Sequence, residues 1–150
     1  MSTLIIMCGI SGSGKSTKAK ELKEEYNAVI ISTDDIREDI FKDIHNQEHN
    51  KEVFRIAYDE INMFIELSHN VIFDATNIKY SSIKYLKKGI KHWNDINKIL
   101  YVMDTPIDKA IKQNNARNKV IPTEVIIRQA NTFKDNKGRI IREFEDVRFC

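Results

Sequence analysis

Residues 9 to 16 read Gly-Ile-Ser-Gly-Ser-Gly-Lys-Ser. They fit the pattern G-x-x-x-x-G-K-[ST], which cradles a phosphate. Gly9, Gly12 and Gly14 permit the tight turn that brings main-chain N–H groups against an anion. Lys15 would reach the β- and γ-phosphates of a nucleotide, and the Ser16 hydroxyl would complete a Mg²⁺ shell. Ser11, Ser13 and Thr17 complete the set expected around the donor phosphates. A helix starting near Ser16 would point its positive dipole end at the same anion.

Three further groups carry residues that phosphoryl transfer needs. Thr33-Asp34-Asp35 and Arg37 follow one apolar run. Asp34 suits a base that accepts the proton of an acceptor hydroxyl, and Arg37, one helical turn on, suits a neighbouring acceptor phosphate. Asp74-Ala-Thr76-Asn77 follows another apolar run, where an acid can hold Mg²⁺ or its waters. Thr76 and Asn77 are secondary candidates. Arg117 and Lys119 lie in a basic connector suited to a lid that brings positive charge onto the transferred group, and Arg128 in the next helix is a further lid candidate.

These residues need a scaffold that gathers them. Apolar runs at 3–8, 28–32, 71–74 and 99–103 alternate with helical patterns, which indicates an α/β fold with a mostly parallel sheet. Helices are expected at 16–26, from Thr33 or Asp34, at 50–68, 81–92, 106–115 and 122–133. In the helix at 50–68, Val53, Ala57, Ile61, Phe64 and Ile65 share one face. Residues 144–149 suit a fifth strand at the sheet edge. In open parallel sheets ligands bind beyond the carboxyl ends of the strands, so the polar groups should converge there.

The chain of 150 residues suits a single domain, 1–150, with a lid at about 115–133. With 41% hydrophobic and 31% charged residues it has a globular composition. No apolar stretch is long enough to span a membrane, and the start lacks the pattern of a secretory signal. Cys8 and Cys150 suggest neither a disulfide framework nor a metal site, so a reducing cytoplasm is expected. Residues 1–75 carry 8 basic and 14 acidic side chains, and residues 76–150 carry 16 and 8. The basic half, with Lys79, Lys84, Lys87, Lys88 and Lys91 on one expected helix, could attract a polyanion. No obligate protein partner is inferred.

Four segments together resemble the kinase domain of phage and bacterial polynucleotide 5′-kinases. They are the glycine loop, Ser-Thr-Asp34-Asp35-Ile-Arg37, Phe-Asp74-Ala-Thr-Asn77, and Asn-Ala-Arg117-Asn-Lys-Val-Ile-Pro122 with Val125-Ile126. The likeness spans almost the whole chain in matching order. It implies a compact P-loop kinase fold with strand order 2-3-1-4-5, ATP as donor and Mg²⁺ as cofactor. By the same resemblance Lys15 and Ser16 hold donor phosphates and Mg²⁺, and Asp34 is the base for the 5′-hydroxyl. Arg37 would take the acceptor's 3′-phosphate, and Arg117 would be the lid arginine on the donor. The implied substrate is the 5′-hydroxyl end of DNA or RNA. Thr33 stands where some members have a basic residue, and the spacing from Arg117 to Pro122 is one shorter than in some relatives. The Asp-x-Asp-x-Thr motif of an appended 3′-phosphatase does not occur, so a kinase-only chain is expected.

Two other classes fit the residues: a kinase of a small hydroxyl compound such as a nucleoside, nucleotide or sugar, and a P-loop NTP-binding module without transfer. His45-Asn-Gln-Glu48-His49 formally matches an inverted zinc-protease motif, but its polar surroundings suit a solvated connector. Trp93 and Tyr85 are expected to pack in the core or at its rim.

Overall fold

The computed structural model describes residues 1–42, 50–118 and 120–150. Its centre is a five-stranded, all-parallel sheet in the order β2-β3-β1-β4-β5. The strands are β1 (Thr3–Cys8), β2 (Ala28–Ser32), β3 (Asn70–Asp74), β4 (Asn97–Val102) and β5 (Asp146–Phe149). The helices are α1 (Lys15–Tyr26), α2 (Thr33–Ile36), α3 (Asn50–Glu66), α4 (Tyr80–Gly89), α5 (Ile107–Asn115) and α6 (Thr123–Ile141). A π-helical turn, Arg37–Phe41, continues α2. Both the expected fold class and the strand order are observed. The His45–His49 motif and Lys119 lie outside the described residues.

β1 is the middle strand, and its residues from Leu4 to Cys8 are wholly buried. Such a strand needs apolar side chains on both faces, which explains the unbroken run. Leu4, Ile6 and Cys8 join the larger core, with Val53, Ala57 and Ile61 of α3, Ile83 and Leu86 of α4 and Ile126 and Ile140 of α6. Ile5 and Met7 face the other way, onto Ala19 and Leu22 of α1. Period-two alternation of one strand thus separates two helical layers.

Several boundaries differ from the sequence reading. α6 runs eight residues past Phe133, because Ile126, Phe133 and Ile140 recur every seventh residue and all three are buried. α4 ends at Gly89, and a short 3₁₀ turn, Trp93–Asp95, follows. α2 begins at Thr33 as expected, but its cap is Ser32, whose Oγ accepts the Asp35 N–H. Trp93 is buried against Phe144, whereas Tyr85 is exposed. Cys8 and Cys150 are both free, and burial pushes the Cys8 thiol up to about 12. Among the described residues no helix is long and apolar enough to cross a membrane.

Candidate active site

The glycine loop fills the six residues between β1 and α1. Gly12 and Gly14 have φ of +80° and +92°, where a side chain would be strained. Gly12 also lies against α5: a Cβ there would sit 2.2 Å from the Ala110 carbonyl oxygen. The Gly9 N–H donates to the Thr76 carbonyl at 2.9 Å, and Thr105 Oγ1 donates to the Ser13 carbonyl at 2.9 Å. The loop is therefore held by the ends of β3 and β4, the two neighbours of its own strand.

Lys15 curls back over the loop, and its Nζ donates to the Ile10 carbonyl at 2.9 Å. Burial lowers the Lys15 pKa; the Asp74 and Asp34 carboxylates oppose that shift and Arg117 adds to it. Residues from three elements and the loop after α5 thus share one electrostatic neighbourhood. Ser16 Oγ donates to Asp74 Oδ2 at 3.0 Å. Asp74 is buried, which raises its pKa, while Lys15 and the Ser16 hydroxyl resist the rise.

Across the cleft, Arg37 Nη1 donates to Asp34 Oδ1 at 3.1 Å. The two ends of this pair differ: the Arg37 side chain is 7% exposed and that of Asp34 is 49% exposed. Arg37 Nη2 also donates to Asn50 Oδ1 at the start of α3. Its Nε has no partner among the described residues. The guanidinium is thus anchored from behind while the carboxylate meets the cleft.

The cleft has a volume of about 1240 Å³, above the ~300–1,000 Å³ of a pocket for one small ligand. Lys15, Ser16, Asp34, Arg37, Asp74 and Arg117 all line it, as do Ser11, Gly12, Gly14, Thr17, Thr76 and Arg128. Gly9 and Ser13 are not in its wall and brace the loop from behind. Asn77 is buried with φ +50°, and its Nδ2 donates to the Met7 carbonyl at 2.8 Å. Its role is to tie the turn after β3 to β1.

Three polar residues escaped the sequence reading. Asn50 holds Arg37. Asn114, fully buried, bonds both the N–H and the carbonyl of Ile121, closing the neck of the loop that carries Arg117. Gln129 of α6 lines the cleft, and its Oε1 accepts the Ser11 N–H at 2.8 Å. Only Gln129 left a signal, through its i, i+4 spacing from Val125.

A family model described as an AAA domain, AAA_33, matches residues 4–139. The chain belongs to this AAA-domain family. It is 26% identical over 146 residues to a protein of Autographa californica nuclear polyhedrosis virus, named as a bifunctional polynucleotide kinase/RNA ligase. That match covers 87% of this chain and 20% of the viral protein. A Methanococcus vannielii protein named as a thymidylate kinase is 28% identical over 138 residues, covering 81% of this chain and 70% of that one. Among solved structures, a chain of the Pnkp1/Rnl/Hen1 RNA repair complex superposes with a TM-score of 0.79 at 24% identity. The superposition covers 92% of this chain and 46% of that one. The chain thus spans about a fifth of the viral relative and under half of the repair-complex chain. Family, loop and sheet order make this AAA_33 member a P-loop domain.

Proposed function

We propose that this domain transfers the γ-phosphoryl group of ATP to the 5′-hydroxyl end of DNA or RNA. The observation that carries this reading is the Asp34–Arg37 pair facing the glycine loop across the cleft. A hydroxyl acceptor next to a phosphate needs a carboxylate for its proton and a cation for its charge, side by side. The pair supplies both from one helical turn.

Roles follow from position. The loop amides and Lys15 hold the donor phosphates, and Arg117 approaches the same charge from the lid side. Asp34 accepts the proton of the attacking hydroxyl. Arg37 holds the acceptor's 3′-phosphate. Asp34 and Arg37 stand on the β2 side of the loop, which leaves the β4–β5 side, near Met103, Gln113 and Cys150, for the donor's base.

The Ser16 hydroxyl and the Asp74 carboxylate fit a Mg²⁺ ion. They are two hard oxygens 3.0 Å apart beside the loop. Mg²⁺ in such sites takes one or two protein oxygens and keeps phosphate and water as its other ligands. When bound there it would supply positive charge that offsets the negative charge of the donor phosphates.

The likeness to a protein named as a thymidylate kinase favours a second reading, a nucleotide kinase. There the attacking group is a phosphate oxygen, which has no proton to surrender. A half-exposed carboxylate at the acceptor side would repel that anion, so Asp34 supports the hydroxyl reading. Label transfer from γ-labelled ATP to 5′-hydroxyl oligonucleotides, nucleosides, 3′-nucleotides and thymidylate, run side by side, tests it. Preferred labelling of oligonucleotides or 3′-nucleotides is expected. Preferred labelling of thymidylate would overturn the proposal in favour of the nucleotide kinase.

A further inference from the structure

A second groove, of about 470 Å³, lies between the start of α4 and the middle of α6. Lys79, Lys84 and Arg139 line it with Tyr80, Thr132 and Asn136, and among the described residues no acid lines it. Lys79 and Thr132 also line the large cleft, so the two run into each other. Along α6, Arg128, Thr132 and Arg139 fall within one face at helical spacing. Arg128 to Arg139 spans about 16 Å at ~1.5 Å per residue, about five steps of a stacked strand at ~3.4 Å each.

Among the described residues no ion pair holds Lys84 or Arg139, although the field of Lys84 reaches Glu143. Lys84 and Arg139 are exposed, and both lie over the Tyr80 ring, Lys84 at 5.9 Å and Arg139 at 4.1 Å from its centre. Glu143, the acid bonded to this corner, is taken by Tyr80 Oη at 2.7 Å and by Lys87 Nζ at 2.8 Å. Lys84 and Lys88 repel one another at i, i+4, a helix-destabilising arrangement that a bound polyanion relieves. The rim is fixed as well: the Tyr80 N–H donates to Asn136 Oδ1 at 2.9 Å, tying α4 to α6.

We propose that this groove holds the phosphodiester backbone of the acceptor strand downstream of the 5′ end. The proposal rests on the polynucleotide reading above and extends it to the next few nucleotides. Lys84 and Arg139 contact strand phosphates, so affinity grows as the acceptor lengthens from a mononucleotide to several nucleotides.

The test uses a 3′-fluorescein-labelled, 5′-phosphorylated octathymidylate, followed by anisotropy with the full chain over a salt series. For the variant Lys84→Ala/Arg139→Ala, Kd should rise about 10-fold, and the slope of log K against log salt should flatten by about 1.4, near 0.7 per lost contact. The KM for thymidine 3′-monophosphate should stay unchanged. Lys84→Glu alone, at an exposed position, repeats the measurement should the double variant melt early. An unaltered octamer Kd, or an equal loss on octamer and mononucleotide, overturns the groove. Absence of label transfer to any 5′-hydroxyl oligonucleotide by the wild type overturns the proposed function, and the octamer Kd still judges the groove.

Discussion

Gln129 and Ser11 are 118 residues apart in sequence, yet the Gln129 side chain accepts the Ser11 main-chain N–H at 2.8 Å. The long helix α6 is thereby fastened to the phosphate loop. A bound donor phosphate and Gln129 both seek donors from the same loop.

Gln129→Ala should therefore lower the melting temperature of the nucleotide-free protein by about 2–4 °C, the effect of losing ~1 kcal/mol. Added Mg²⁺-ATP should protect the variant more than the wild type, because a phosphate can occupy the vacated amide. Melting scans with and without nucleotide decide this; equal protection of both proteins would contradict it.

Lys15→Ala should reduce phosphoryl transfer by at least ~10²-fold, since a cation is lost where charge accumulates. A melting scan must accompany the assay, because Lys15 also balances the buried Asp74. A folded variant with near wild-type turnover would move the donor site elsewhere.

Asp34→Asn should lower transfer by about 10²-fold or more, the usual range for a lost general base, with little change in ATP affinity. Asp35→Asn should be milder, since Asp35 does not line the cleft. Single-turnover rates separate the two. A dead Asp35 variant beside an active Asp34 variant would reverse the assignment.

Arg37→Gln should raise the KM for a 3′-phosphorylated acceptor by about 10-fold or more, as expected for a lost charge-assisted bond of ~1.5–3 kcal/mol. The KM for a nucleoside without that phosphate should move far less. Because Arg37 is buried and bonded to Asn50, some stability should also be lost. Equal KM changes on both acceptors would remove the phosphate contact from Arg37.

Asp74 gives the site a pH signature. Its carboxyl titrates above the ordinary value of 3.8 because burial disfavours the charge. In the window just above 3.8 the folded chain binds more protons than the unfolded chain, so this group's contribution to stability fades as pH rises through it. Mg²⁺ competes with the same proton, so the Mg²⁺ concentration for half-maximal transfer should increase as the pH falls toward that window. Asp74→Asn should abolish this dependence. Mg²⁺ titrations across a pH series, with melting scans to exclude unfolding, would reveal either outcome.

Much of this architecture was legible because its signals are periodic. The run Leu4–Cys8 is uniformly apolar since both sheet faces are covered, and Val53, Ala57 and Ile61 mark α3 at helical spacing. Polar groups at strand ends were legible too, since a parallel sheet presents those ends together. Asn50 and Asn114 were not, because a single side chain bonded to a distant partner leaves no repeat in the sequence. The far end of α6 was hidden by Lys134–Gly138, whose polar and glycine residues suggest a loop until Ile140 is seen to dock.

The contact of Gly12 with the Ala110 carbonyl bears on how such domains can be recombined. The phosphate loop and α5 leave no room for one methyl group between them, so they form a single casting. A graft that begins at Ile107 would import an α5 shaped to another loop. A graft confined to the stretch between Asn114 and Ile121 would leave that casting and the Asn114 neck intact. The exchangeable part is thus the short loop bearing Arg117, and α5 should be inherited together with the glycines.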